Sequence, residues 1–282
     1  MLPNAVDKRG FDVICAGDAF LNVAGRDGSA GFRPGGGAIT AALAVAAQGL
    51  RVGLVTMLPD DTRGRALRAR VADSGIDVGG VQLNMPGRGL VFVRGGARQV
   101  VSSGEEERAI EVPEGWSCQV LLLSGMSPVL SHGAALCKAA RAARRAGTLV
   151  VVDVNARWDL WQGRDSRAVR MVLREADVVW CSAQDLFGLD MDAPTLRASL
   201  RKTAVLVRSD GAGHASATGP FGEVAQTRKE NIPLAPLAEP DAFTAAICSE
   251  LVRAGHTDEG DGALWARALR RGHAAVVERA GR

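Results

Sequence analysis

The sequence predicts an α/β protein: a doubly wound, mostly parallel sheet with helices on both faces and a small β-sheet lid. Three observations carry that expectation. First, apolar runs of strand length, such as "FDVICAG", "RVGLVTM", "CQVLLLSG", "TLVVVDVN", "DVVWCSA" and "TAVLVRSD", alternate with longer stretches of helical period. Continuously apolar strands separated by helices belong to a parallel sheet covered on both faces. Second, the alternation is broken once, between about residues 78 and 109, by short half-polar runs punctuated by turn residues. Third, 282 residues with 47% hydrophobic content can bury a substantial core, and no disordered, collagenous or disulfide-rich bias is present. A single domain over 1–282 is expected.

Taken in order, the strand "FDVICAG" leads through a glycine-rich stretch to the helix-like "AITAALAVAAQG", the strand "RVGLVTM" and the helix-like "TRGRALRARVADSG". Within the break, "VQLN", "GLVFVRG" and "RQVVSSG" alternate apolar and polar positions, with "PGRG" and "GGAR" as hairpin turns. Such a meander has one solvated face and no core of its own, so its expected use is to cover a site. The α/β alternation resumes with "CQVLLLSG", "HGAALCKAARAARRAG", "TLVVVDVN", "RAVRMVLREA", "DVVWCSA", "TLRASLRK" and "TAVLVRSD". The closing "GALWARALRRGHAAVVERAGR" reads as a helix with a basic outer face.

Composition removes several functions. Lys and Arg exceed Asp and Glu only by 34 to 31, and the basic residues lie in helical stretches rather than among aromatics. No nucleic-acid partner is expected, although the small excess suits an anionic small molecule. Cys15, Cys118, Cys137, Cys181 and Cys248 form no CxxC pair, and most sit in apolar runs, where a thiol behaves as a small hydrophobe. A reduced, cytoplasmic compartment follows as the expectation. The opening "MLPNAVDKRG" lacks the apolar segment of a secretion signal. Gln48, Gly49, Arg51 and Gly53 interrupt the longest apolar run, so no membrane span is expected. With no tyrosine in the chain, a catalytic phenol is excluded. His132, His214, His256 and His273 have no metal-ligand spacing, and neither GxSxG nor GxxxxGK[ST] occurs.

Three stretches carry chemistry. "RPGGGAITAALA" places Gly35, Gly36 and Gly37 directly before a helix, where bare backbone can approach a ligand and helix N–H groups point outward. The same glycines equally suit tight helix-to-sheet packing. "DVNARWDLW" puts Asp153 at the C-terminal end of a strand, the edge where doubly wound sheets bind ligands, with Asn155 and Arg157 on the loop. Arg157 suits a carboxylate, a phosphate or a polarised hydroxyl, or an ion pair with Asp153 or Asp159. In "APLAEPDAFTAAICSELVRAG", Asp241 follows a proline at a helix start, where an acid also complements the macrodipole.

These stretches fall in a familiar order. "GGGAITAALAVAAQGLRVGLVTMLPDDTRGRALRARVADSGIDVGGV" resembles the first signature region of the ribokinase/PfkB family of sugar and nucleoside kinases, including a DDxxG element at Asp60, Asp61 and Gly64. "GGARQVV" is similar to the family's lid hairpin and "LLLSGMSP" to its central strand. "RAARRAGTLVVVDVNARWDLW" resembles the helix, strand and loop of fructokinase-like and ketodeoxygluconate-kinase-like members. "DVVWCSAQDLFGL", "AVLVRSDGAGHASA" and "ARALRRGHAAVVERAG" occupy the remaining positions. The resemblance covers nearly the whole chain. It implies a ribokinase-like fold, with lid strands from about 18–34 and 78–109, through which two chains could pair as a homodimer.

The resemblance also implies a reaction: an aspartate at a helix start deprotonates a sugar hydroxyl while the γ-phosphoryl group of ATP passes to it, with Mg²⁺ balancing charge. In the family segment DTxGAGDxF, Asp241 and Phe243 match the final DxF, and Asp241 would be the base. Asn22, Gly36, Gly37, Thr40, Asp153, Asn155 and Arg157 would line the carbohydrate side. Ser182, Asp185, Arg208, Gly211 and Gly213 would line the nucleotide side, Asp185 also touching Mg²⁺ indirectly. Four departures stand out. Asn22 replaces the usual aspartate, Thr40 an asparagine, and Ser182 with Asp185 the NxxE pair. The GAG before the base is Ala238, Glu239 and Pro240. Pro240 has no N–H for a phosphate oxygen, and Glu239 brings negative charge. Sugar or sugar-acid phosphorylation is the expectation; the alternative from these departures is a pseudokinase that binds a carbohydrate-like ligand or a partner without transfer.

Overall fold

A computed structural model of the chain describes residues 9–24, 31–84, 90–94, 97–101, 110–125, 133–155, 167–210, 212–228, 239–255 and 261–280. The first half contains β1 (Arg9–Gly17), β2 (Phe20–Ala24), β3 (Gly31–Gly35), α1 (Gly37–Ala46), β4 (Val52–Pro59), α2 (Thr62–Ala72), β5 (Asp77–Asn84), β6 (Leu90–Arg94), β7 (Ala97–Val101) and β8 (Trp116–Ser124). The second half contains α3 (Gly133–Arg145), β9 (Leu149–Asp153), α4 (Arg167–Leu173), β10 (Val178–Ser182), α5 (Ala183–Gly188), α6 (Ala193–Ser199), β11 (Val205–Ser209), β12 (His214–Gly219), β13 (Gly222–Thr227), α7 (Glu239–Ala254) and α8 (Gly262–Ala280).

Among the described residues, nine strands form the main sheet in the order β13-β12-β11-β10-β9-β8-β1-β4-β5. Strands β5 to β11 in that sheet pair in parallel, and the β12–β13 hairpin adds an antiparallel edge. The alternation along each strand divides two cores. Val13, Cys15, Leu122, Val151 and Val207 face one core, which α1, α2, α7 and α8 cover. Ile14, Ala16, Leu121, Leu123, Val150 and Leu206 face the other, closed by Leu136 and Ala140 of α3, Val169 and Val172 of α4 and Leu196 of α6. Near-continuous apolar strands were legible because both faces are buried.

A second sheet of four strands, in the order β3-β2-β6-β7, is the lid. One part of the lid expectation changes. "VQLN", read as the first run of the meander, belongs to β5, which pairs in parallel with β4 as the edge of the main sheet. Its half-polar alternation is that of a partly buried edge strand, which a short window does not distinguish from a hairpin. The DDxxG element is local architecture. Asp61 N-caps α2 by accepting the Gly64 N–H at 2.9 Å, and a Cβ on Gly64 would stand 1.9 Å from the Pro59 carbonyl oxygen. Among the described residues, no helix is long and apolar enough to cross a membrane.

Candidate active site

The site is built on one row of the main sheet. Gly17, Ser124 and Asp153 are register partners at the C-terminal ends of β1, β8 and β9, and Trp180 of β10 continues the row. Asp18 follows Gly17 and is buried, as is Asp153. The Ser124 hydroxyl donates to Asp153 Oδ2 at 2.8 Å. Asn155 follows with a φ of 40°, a left-handed conformation in which asparagine is enriched.

The start of α1 is pressed against this row, and glycine makes that possible. A Cβ on Gly36 would lie 2.5 Å from the Asp18 carbonyl oxygen, and one on Gly37 would lie 2.4 Å from the Gly125 nitrogen. Those gaps are smaller than any side chain tolerates, and Gly36 also has a φ of 89°. The Ala38 N–H then donates to the Asp18 carbonyl at 3.0 Å, which ties the helix start to the end of β1. The packing reading of the glycines holds: they press the start of α1 against the C-terminal strand ends.

Asp241 enters from α7, in its first turn. It is 6% exposed, and its Oδ1 accepts a hydrogen bond from the Thr40 hydroxyl of α1 at 3.1 Å. Phe243 explains the second half of the DxF match. Its ring is buried 6.2 Å from that of Trp180 and 5.4 Å, edge-on, from that of His273, in a notch that a Cβ on Gly272 would occupy at 2.6 Å. The first turn of α7 is thereby keyed to β10 and α8. Burial pushes the His273 imidazole below its ordinary value, with the charges of Arg228 and His214 adding to that, while its Nε2–H donates to the Gln226 carbonyl at 3.3 Å. Burial also pushes the Cys15 thiol up, with Cys248, Cys118 and Asp241 adding to the effect. Cys248 rises to about 12 through burial and the charge of Asp153. Both thiols are therefore neutral neighbours of the carboxylates.

The expected nucleotide side is organised differently. Ser182 and Asp185 form a capping box at α5: the Ser182 N–H and hydroxyl each reach Asp185 Oδ2 at 2.7 Å, and Ser182 Oγ accepts the Asp185 N–H. Arg208 turns its guanidinium to the hairpin, 3.3 Å from Ser216 Oγ and 3.5 Å from Glu223. Asp210 closes the next turn by accepting the Ala212 and His214 N–H groups. Burial opposes its ionisation, but those two hydrogen bonds and the nearby His214 hold the carboxyl below its ordinary value. Gly213 follows with a φ of 106°.

The structure thus brings Gly36, Gly37, Thr40, Asp153, Asn155 and Asp241 to one edge, with Ser182, Asp185, Arg208 and Gly213 beside them along β10 to β12. Arg157, Gly211 and Ala238 lie outside the described residues, as do the side chains of Asn22, Glu239 and Pro240. Two polar residues at the same edge, Asp18 and Ser124, were not singled out in the sequence. Asp18 could have been found as a carboxyl directly after a strand-ending glycine, and Ser124 as the last polar residue of a buried strand. Both stand at the sheet edge that binds ligands.

A doubly wound sheet with a small β lid holds an aspartate at a helix start above the C-terminal strand ends, the edge where such sheets bind ligands. The sequence profile described as "pfkB family carbohydrate kinase" matches residues 7–205, and the chain belongs to this family. It is 29% identical over 190 residues to 5-dehydro-2-deoxygluconokinase of Shouchella clausii, covering 58% of this chain and 56% of that relative. The chain therefore matches little more than half the length of that protein. It is 26% identical over 246 residues to 2-dehydro-3-deoxygalactonokinase of Haloferax volcanii, covering 78% of this chain and 76% of the relative. In fold it is similar to aminoimidazole riboside kinase from Salmonella enterica, solved with aminoimidazole riboside and an ATP analogue. There the TM-score is 0.77 at 23% identity, covering 95% of this chain and 92% of that one.

Proposed function

We propose that the chain transfers the γ-phosphoryl group of ATP to a hydroxyl of a sugar or sugar acid. The observation that carries this reading is the placement of Asp241: in the first turn of α7, 6% exposed, tied to the glycine-built start of α1 above the ends of β1, β8 and β9. In the reaction, Asp241 takes the proton of the acceptor hydroxyl, the resulting oxygen forms a bond to the γ-phosphorus, and ADP leaves with the electrons of the broken P–O bond. Asp18, Asp153 and Asn155 supply acceptors for the hydroxyl donors of a sugar. Gly36 and Gly37 hold α1 close enough to shape the pocket, with Asn22 and Arg157 as its further proposed contacts.

Asp185, Arg208, Gly211 and Gly213 form the proposed nucleotide side, with Ser182 capping the short helix that carries Asp185. A Mg²⁺ ion that arrives on a nucleotide keeps most of its ligands as phosphate and water and needs only one or two carboxylates from the protein. Asp185 fits that demand as the carboxylate beside the end of β10, acting through water because Ser182 already engages its Oδ2. When bound, the ion neutralises phosphate charge. Pairing through the lid completes the proposal, with β3 and β7 as its edge strands.

The replaced GAG limits the rate rather than the reaction type. The helix begins at Glu239, so Pro240 is its second residue and contributes no N–H to a phosphate oxygen. ATP consumption should appear with an acceptor panel headed by 5-dehydro-2-deoxygluconate and 2-dehydro-3-deoxygalactonate, the acceptors in the relatives' names. Asp241→Asn should lower kcat on the order of 10³-fold without loss of folding. Activity that survives this change would remove Asp241 as the base. In the Ala238→Gly, Pro240→Gly double variant, kcat should rise; tight carbohydrate binding with no transfer in either form would favour the binding-only alternative.

A further inference from the structure

Thr40 stands where the family resemblance led to an expected sugar contact, and its surroundings give it different work. Its hydroxyl lies 3.1 Å from Asp241 Oδ1, 3.0 Å from the Gly36 carbonyl oxygen and 3.3 Å from that of Gly37. One hydroxyl proton faces three acceptors. Hydrogen bonds to an ionised carboxylate are roughly twice as strong as neutral ones, so the proton points to Asp241 while that group carries charge. A neutral carboxyl loses this advantage, and the helical back-bond to the Gly36 carbonyl is already within reach.

We propose that Thr40 is a positioning residue for Asp241, holding the ionised carboxylate through its hydroxyl and passing that hydrogen bond to the Gly36 carbonyl when Asp241 takes up the acceptor's proton. The proposal rests on the reading of Asp241 as the base. The proton that leaves the sugar oxygen stays on Asp241, and the Thr40 proton never leaves its own oxygen, so the exchange balances. Two features suit Thr40 to this task. Its β-branch restricts χ1, and in a helix threonine's hydroxyl is held near the preceding carbonyls. Its platform is fixed, because Gly36 and Gly37 are wedged against Asp18 and Gly125.

Other ionisable groups around Asp241 stay constant when Thr40 changes. Among the described residues they include Cys15 and Asp18 at β1, Asp153 on β9, Cys248 on α7 itself and His273 on α8, which reaches α7 through Phe243. Both thiols are held neutral by burial, and α1 carries no ionisable side chain between Gly37 and Ala46. Donation to a carboxylate favours its charged form, so deleting the donor makes Asp241 easier to protonate. The acid side of the pH–rate profile must then move to higher pH.

The experiment compares wild type, Thr40→Val, which keeps the branch, and Thr40→Ser, which keeps the hydroxyl. Thr40→Val should lower kcat by about tenfold or more, leave the acceptor KM within about threefold, and move the acid limb of kcat up by about one pH unit. Thr40→Ser should restore most of both. A raised acceptor KM with unchanged kcat and an unmoved acid limb would make Thr40 a substrate contact and overturn the proposal. A second measurement needs no turnover: titration of the Asp241 carboxyl by ¹³C NMR in the unliganded protein, its signal identified by its absence in Asp241→Asn. The Thr40→Val carboxyl must titrate at higher pH than wild type, and an identical titration overturns the proposal even if the variant is inactive. Should wild type show no transfer with any acceptor, the kinase reading fails while this titration still decides the Thr40 contact.

Discussion

At the ends of β1, β8 and β9, the buried carboxylates of Asp18, Asp153 and Asp241 gather around a glycine-built helix start, whereas at the ends of β10 and β11 the polar groups close local turns. In the first region, hydrogen bonds run between elements far apart in sequence: Thr40 to Asp241, Ser124 to Asp153, and the Ala38 N–H to the Asp18 carbonyl. In the second, Ser182 and Asp185 cap one short helix, and Asp210 folds a turn of its own. A cluster of buried acids in low dielectric is costly unless donors or a ligand answer it. A capping box answers itself. The first region therefore depends on how separate elements pack against one another, and the second holds its own loops.

The strongest way to break this contrast is to fill the space under α1. Gly37→Ala places a methyl group 2.4 Å from the Gly125 nitrogen and 2.6 Å from Ser124 Oγ, so the helix start must back away from the strand ends. Loss of roughly 2–3 kcal/mol in chemical denaturation is expected, with kcat/KM falling roughly a hundredfold as the site loosens. A variant with wild-type stability and kinetics would show that the cradle is not set by this contact. A milder change sharpens the other side. Ser182→Ala removes half of the capping box and should cost about 1 kcal/mol, while KM for ATP stays within about threefold. A tenfold rise in that KM at unchanged stability would show Ser182 serving nucleotide rather than helix.

The smallest effect belongs to neither edge and serves as a baseline. Burial pushes the Glu175 carboxyl upward, but hydrogen bonds and charge from Arg141 and Arg144 outweigh it, and the group sits below its ordinary value of 4.5. A carboxyl depressed in the folded state contributes stability above its unfolded value and loses that contribution as pH falls through the folded one. Both arginines are half-exposed, so Glu175→Gln should lower Tm by only roughly 1–2 °C at neutral pH, the gap closing as pH falls below the ordinary carboxylate range. kcat/KM should not change.

The fold was legible because burial on both faces writes an unambiguous signal: "CQVLLLSG" and "TLVVVDVN" allow few alternatives to buried parallel strands. β5 was misjudged where that signal fades, at the partly buried edge of the sheet. Asp241 was legible as an acid at a helix start, next to Phe243, whose ring fills a notch at Gly272. Asp18 and Ser124 were not, since nothing local distinguishes a polar residue that ends a buried strand from one that begins a loop. The hydrogen bond from Thr40 to Asp241 was not legible, because its partner stands 201 positions away.

By itself, the sequence determined the parallel α/β architecture, the lid, the row of strand ends and the aspartate at the start of α7. These follow from hydrophobic period, glycine placement and helix-start chemistry, all of which act over a few residues. The tertiary structure alone decided which polar groups meet across separate elements and which close local turns. That division depends on distances between separate elements, such as the approach of Gly37 to Gly125 and of Thr40 to Asp241. Local propensity places a side chain on an element, but only the packing of elements settles what its hydrogen bonds are for.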